Sequence, residues 1–176
     1  IDWHPDGSRI LFASLRENAF GNVSNFYLLS KNGGLPEKVP VPYGELGSFS
    51  PDGASIAYVS RITETYPFKR YRGGLASDVV LFNLKKMTAE NITANTATDG
   101  KPVWYKNKIY YISDVDNNKR RNVWVYDIAT KSRTAITKFS DIDINHLSAG
   151  PDELIFEAGG KLYLLNLGTS KYEEVK

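Results

Sequence analysis

The sequence predicts an all-β fold made of β-propeller blades, and three observations predict it. First, a turn-and-strand motif recurs. Trp3-His4-Pro5-Asp6-Gly7-Ser8-Arg9-Ile10-Leu11-Phe12-Ala13-Ser14 returns as Phe49-Ser50-Pro51-Asp52-Gly53-Ala54-Ser55-Ile56-Ala57-Tyr58-Val59-Ser60, an offset of 46 without a gap. Weaker copies begin at Trp104 and at Ala149. Second, a strand-like motif follows each copy and ends at Ser30, Asn83, Asp127 and Asn166, giving spacings of 53, 44 and 39. Third, no window of about 11 residues shows the i, i+3, i+4, i+7 stripe of a helix, so no helix longer than about two turns is expected.

Each unit reads as four short strands, A to D. Strand A carries the aromatic or small residue, and its starts read Ile1-Asp2-Trp3, Gly47-Ser48-Phe49, Pro102-Val103-Trp104 and Leu147-Ser148-Ala149, with Asp2 alone charged. Pro-Asp-Gly then makes the A–B turn, because Pro presets φ, Asp bonds its own backbone and Gly accepts φ > 0. Strand B has apolar cores at 10–14, 56–60, 109–113 and 154–157. Strand C follows at 25–30, 78–83, 122–127 and 161–166, and strand D lies around Val39, Ile92, Ile136 and Val175. Strands B and C are apolar at successive positions, as expected of sheets covered on both faces. Four-stranded units of about 40–50 residues are the signature of propeller blades, whereas a sandwich lacks so long a period. The blades fall at about 1–44, 45–97, 98–141 and 142–176, within a single propeller segment. Four blades with an almost empty first strand A are read as an incomplete arc of a larger ring.

Composition narrows the function. With 22 Lys and Arg against 20 Asp and Glu, the net charge of +2 makes no case for nucleic acid. No apolar run approaches the roughly 20 residues of a membrane helix. Without cysteine there is neither a disulfide frame nor a thiolate site. The chain opens on Ile1 and its single Met is Met87, which is read as a piece of a longer polypeptide or a trimmed form.

Catalytic and metal sites are expected to be absent, and no cofactor is implied. Serine catalysis needs a His base oriented by an acid. The two histidines, His4 and His146, sit in a turn and beside a strand A, and no Gly-x-Ser-x-Gly elbow occurs. Asp114-Val115-Asp116-Asn117-Asn118 lacks the Gly and Glu of a calcium loop. Gly33-Gly34, Gly73-Gly74 and Gly159-Gly160 precede no helix and read as turns.

The candidate binding residues are Lys69, Arg70, Tyr71 and Arg72, with Lys119, Arg120 and Arg121. Both clusters fall in B–C connections, which emerge on one rim. Those connections hold 10, 17, 8 and 3 residues, and length variation on one rim of a regular scaffold is where function is carried. A positive rim attracts carboxylates, such as a peptide C-terminus or an acidic neighbouring domain. The rival reading folds these cations onto acids of their own blade.

Phe49-Ser50-Pro51-Asp52-Gly53 with Ile56-Ala57-Tyr58-Val59-Ser60 resembles the repeats of TolB-like and dipeptidyl-peptidase-type propellers. Phe68-Lys69-Arg70-Tyr71-Arg72-Gly73-Gly74, followed by Val79-Val80-Leu81-Phe82, resembles the N-terminal propeller of tricorn-type serine proteases. So does Phe139-Ser140-Asp141-Ile142-Asp143 with Ile155-Phe156-Glu157-Ala158-Gly159-Gly160-Lys161-Leu162-Tyr163. The resemblance implies an arc of a six-bladed propeller in a parent whose serine nucleophile lies in a separate core. It also implies a filtering, guiding or assembling role, partners among the parent's other domains or peptide substrates, and an exported, periplasmic or cell-surface parent. Two other readings are a stand-alone TolB-like protein-binding propeller of an envelope complex and a propeller hydrolase with an axial site. Open blade faces imply self-association.

Overall fold

The structure, a computed structural model, describes residues 1–18, 23–61, 72–74, 76–116 and 118–176. Among these residues sixteen strands form four antiparallel sheets, each in chain order. Blade 1 is β1 (Asp2–Trp3), β2 (Arg9–Ser14), β3 (Asn25–Ser30) and β4 (Glu37–Lys38). Blade 2 is β5 (Leu46–Phe49), β6 (Ser55–Val59), β7 (Val79–Asn83) and β8 (Thr88–Asn91). Blade 3 is β9 (Asp99–Tyr105), β10 (Lys108–Ser113), β11 (Asn122–Asp127) and β12 (Arg133–Ala135). Blade 4 is β13 (Ile144–Ala149), β14 (Glu153–Ala158), β15 (Lys161–Asn166) and β16 (Lys171–Glu174). No helix occurs among the described residues, hence none long and apolar enough to cross a membrane.

The Pro-Asp-Gly turns take the same shape twice. Asp6 accepts the Ser8 N–H at 2.8 Å, and Asp52 accepts the Ala54 N–H at 3.0 Å. Gly7 and Gly53 follow at φ of 66° and 68°. The two B strands then pair with strand C along their whole length.

Strand D differs in detail from its expected position. In all four blades the apolar residue lies just past the strand and donates its N–H to strand C, in blade 4 from Val175 to the Leu162 carbonyl at 2.9 Å. Val39 bonds the Phe26 carbonyl at 2.8 Å, Ile92 that of Val79 at 3.0 Å, and Ile136 that of Val123 at 2.8 Å. Val39 and Ile92 are almost wholly enclosed, while the β8 residues themselves are exposed.

In blades 2 and 3, Thr93 and Thr137 lock strand C to strand D. The Thr hydroxyl accepts the N–H of Val79 or Val123 at 2.9 Å and donates to Asp78 or Asn122. A buried donor left without a partner costs about 1–3 kcal/mol, and this pair of bonds removes that cost.

The core lies between blades. One cluster, with Leu11, Phe26, Phe49, Ile56 and Tyr58, fills the seam of blades 1 and 2. A second, with Ala57, Val59, Val79, Ile109 and Tyr111, fills that of blades 2 and 3. A third, with Tyr110, Val123, Ile144, Leu154 and Phe156, fills that of blades 3 and 4. Each such large side chain contributes about 1.5–3 kcal/mol on burial. The outer faces of blades 1 and 4 stay exposed, with Trp3 at 53% and Leu162 at 49%.

The starts of two A strands need correction. β9 begins at Asp99, not Pro102, and β13 at Ile144, not Leu147. Each carries a bulge in its pairing with strand B. The displaced residues, Lys101 and His146, occupy equivalent positions at φ of 48° and 53°. These strand starts therefore bear Asp99, Lys101 and His146 besides Asp2. An inserted residue bends one strand without breaking the ladder, which is why a gapless motif comparison passes over it.

Candidate functional site

Two features stand out: a chain of cations on the rim from which the B–C and D–A connections emerge, and an axial cleft between the A strands. Lys69, Arg70 and Tyr71 lie outside the described residues, so of the long blade 2 connection the structure places Arg72. Its Nη2 donates to Asp114 Oδ2 at 3.0 Å, and Asp114 also accepts the Thr98 N–H at 2.9 Å. Asp114 is nearly buried, 5% exposed, whereas Arg72 keeps 29% of its side chain in solvent. Asp114 belongs to blade 3. The guanidinium thus reaches forward to the next blade rather than back to its own.

Blade 3 repeats the arrangement. Arg120 lies 3.7 Å from Asp143 Oδ2, the Arg121 N–H donates to Asp143 Oδ1 at 3.0 Å, and Arg121 Nη2 donates to Asn145 Oδ1. Asp143 and Asn145 open blade 4. Lys119 sits at the turn itself, at φ of 52°. Arg120 remains 32% exposed, so the rim keeps accessible positive charge beside each bond. Sequence reading brought the two clusters to one rim; the structure adds that Arg72, Arg120 and Arg121 bridge successive blades.

The axial cleft is an open space of about 200 Å³ lined by all four A strands, among them Asp2, Ser48, Lys101, Val103 and Ser148. Its polar groups mostly join blades. Asp2 Oδ2 accepts the Phe49 N–H at 3.1 Å, and Ser48 Oγ accepts the Trp104 N–H at 3.1 Å. Lys101, which sequence reading missed, brings a positive charge to the lining.

Elsewhere His4 packs edge-on against Phe49, with ring centroids 4.9 Å apart, and its Nδ1 lies 2.9 Å from Asp6. The Ser8 hydroxyl donates to that same Asp6 at 2.6 Å, not to the imidazole. Asp99 is fully buried, and burial pushes its carboxyl up to about 6 against the opposing effect of the polar side chains of Ser113, Thr93 and Asn95. Among the described residues no three His, Asp or Glu converge as metal ligands would.

Residues 1–171 match the family described as the tricorn protease N-terminal beta propeller domain. The chain is 25% identical over 174 residues to the tricorn protease of Thermoplasma acidophilum, covering 98% of itself and 16% of that protein. Among solved structures it is similar to a putative TolB from Agrobacterium tumefaciens, at 18% identity and a TM-score of 0.75. That match covers 98% of this chain and 62% of the other. TolB from Acinetobacter baumannii gives 18% and 0.73, covering 99% and 42%. A crystal structure of the tricorn protease gives 18% and 0.57, covering 99% and 22%. At these identities the structural likenesses speak for the fold.

Proposed function

Because this chain belongs to the family of tricorn protease N-terminal β-propeller domains, we propose that it is a non-catalytic propeller segment of a tricorn-like serine protease. Its role there is to guide or gate substrate, or to assemble domains, through the basic rim. A periplasmic or cell-surface parent is part of the same proposal. The observation that carries the reading is the accessible charge of the rim. Arg72 and Arg120 are paired with Asp114 and Asp143 yet about one third of each side chain stays in solvent. A guanidinium so held is oriented before its ligand arrives, which spares the entropy of ordering it. Arg binds a carboxylate through two parallel hydrogen bonds, which Lys cannot copy. Lys69, Arg70, Tyr71 and Lys119 complete the proposed contact element.

The test is peptide binding followed by fluorescence anisotropy over a salt series. Acidic peptides with a free C-terminus are expected to bind weakly and to lose affinity with salt. Lys119→Gln together with Arg120→Gln should weaken binding and flatten the salt dependence, with the fold intact by circular dichroism. Equal binding by the double variant, or by peptides lacking every carboxylate, would remove the rim from the proposal.

A further inference from the structure

We propose that the seam of blades 1 and 2 holds a binding site for a free α-amino acid with an apolar side chain, its carboxylate on Arg9 and its ammonium on Glu37. The site lies where the A–B and C–D connections emerge, opposite the basic rim, and does not rest on the role proposed for that rim.

Two seams of the same register differ in their charges. In blade 2 the A–B turn closes on itself: Ser50 Oγ accepts the Ser55 N–H at 2.9 Å and donates to Asp52 at 2.6 Å. In blade 1 His4 and Arg9 hold the places of Ser50 and Ser55, and Arg9 pairs with Ser30 as Ser55 pairs with Asn83. His4 Nδ1 faces Asp6 Oδ1 at 2.9 Å, which assigns the ring proton to that nitrogen. Nε2 is then free to accept from Arg9 Nη2, 3.4 Å away. A neutral imidazole orients the guanidinium without cancelling its charge. Among the described residues no acid forms an ion pair with Arg9.

The acid shows the same contrast. Glu37 pairs with Leu28 as Glu90 pairs with Leu81. At the second seam Glu90 meets Lys131 of blade 3 at 2.7 Å. The place of Lys131 in blade 2 belongs to Met87, at φ of 56° against 57°. Met87 is exposed and uncharged, so blade 2 offers Glu37 no cation there. No other described residue forms an ion pair with Glu37.

Arg9 and Glu37 both line a cleft of about 290 Å³ whose walls include Leu28, Val39, Phe49 and Leu84. Gly53 leaves room for the imidazole at its edge, since a Cβ there would stand 2.7 Å from His4 Nε2. The volume is at the lower limit of ligand pockets and suits one residue rather than a long peptide. Arg takes a carboxylate through two parallel hydrogen bonds, the Glu carboxylate takes an ammonium, and the apolar walls take a side chain. A free apolar amino acid supplies all three groups on one small molecule.

Titration of the chain with leucine, followed by amide shifts in nuclear magnetic resonance, tests this. Saturable shifts are expected at Val39, Phe49 and Gly53. Isocaproate lacks the ammonium, isoamylamine the carboxylate and glycine the side chain; each is expected to bind roughly tenfold or more weakly. Arg9→Gln should erase the preference for leucine over isoamylamine, and Glu37→Gln that over isocaproate, both with an unchanged circular dichroism spectrum. Glu37 is exposed, so its variant keeps the test open should Arg9→Gln fail to fold. Lys119→Gln with Arg120→Gln should leave leucine binding intact, which separates this site from the rim. The proposal is overturned if leucine gives no saturable shifts, if isocaproate binds as well as leucine, or if Glu37→Gln leaves the preference unchanged.

Discussion

Replacing Asp99 by Asn should stabilise the protein at neutral pH. The Asp99 side chain is fully buried at the start of β9. Asn95 Nδ2 donates to Oδ2 at 2.9 Å, while Oδ1 has no partner. Burial raises its titration from the ordinary carboxylate range to about 6, the Asp78 carboxylate adds to the rise, and the neighbouring polar side chains of Ser113, Thr93 and Asn95 oppose it. In the unfolded chain the group titrates near 3.9. Between these values the folded state binds more protons than the unfolded one, so stability falls as pH rises and levels off above about 6. A difference of about two units corresponds to roughly 3 kcal/mol. Asn is nearly isosteric with the neutral acid and does not ionise. The variant should match the parent near pH 4 and exceed it by about 2–3 kcal/mol near pH 7.5. For a chain of this size that is roughly 4–12 °C in Tm. Urea denaturation of both proteins across the range measures it, and the difference between them cancels every other titrating group. A constant difference from acid to neutral pH would refute the burial argument, as would a variant less stable at pH 7.5 than at pH 4 relative to the parent.

Other substitutions probe the seams and locks. A Cβ on Gly44 would stand 2.6 Å from Phe26 Cζ and 2.9 Å from Cδ2, inside a ring that is itself enclosed; Gly44→Ala should cost about 1–3 kcal/mol in thermal denaturation. Thr137→Val keeps the shape but strips the Val123 N–H and Asn122 Oδ1 of a partner, for about 1–3 kcal/mol, seen as a lower urea midpoint with unchanged slope. Asp114→Asn removes the charge that Arg72 faces and should cost about 1–2 kcal/mol, less than for a wholly buried pair because Arg72 is partly in water; a loss that persists in the Arg72→Gln background would assign it to the Thr98 N–H instead.

The blades were legible because their turns and strands are local chemistry. Pro5-Asp6-Gly7 and Pro51-Asp52-Gly53 specify a turn within a few residues, and the B strands declare themselves by unbroken apolar runs. Lys101 and His146 were not legible: a bulge adds one residue to an otherwise ordinary strand, and only the pairing register reveals which one moves outward. Nor was the direction in which Arg72 and Arg120 reach. Their partners, Asp114 and Asp143, lie 42 and 23 positions further along the chain, and the stagger between neighbouring sheets decides which acid comes within reach. Asp99 shows the same limit: nothing in its polar stretch marks it as buried, and its backbone is paired with Ser77, 22 positions earlier.

Because the large apolar side chains collect between sheets rather than within them, no blade owns its core. Each interior sheet shares two clusters and each terminal sheet one. In such an array the free energy of opening depends on position along the arc, and melting proceeds inward from the edges. The Thr93 and Thr137 locks belong to the two interior blades. Amide protons of Val79 and Val123 are therefore expected to exchange last, through global unfolding, while those of β4 and β16 exchange through local fraying that leaves the interior seam closed.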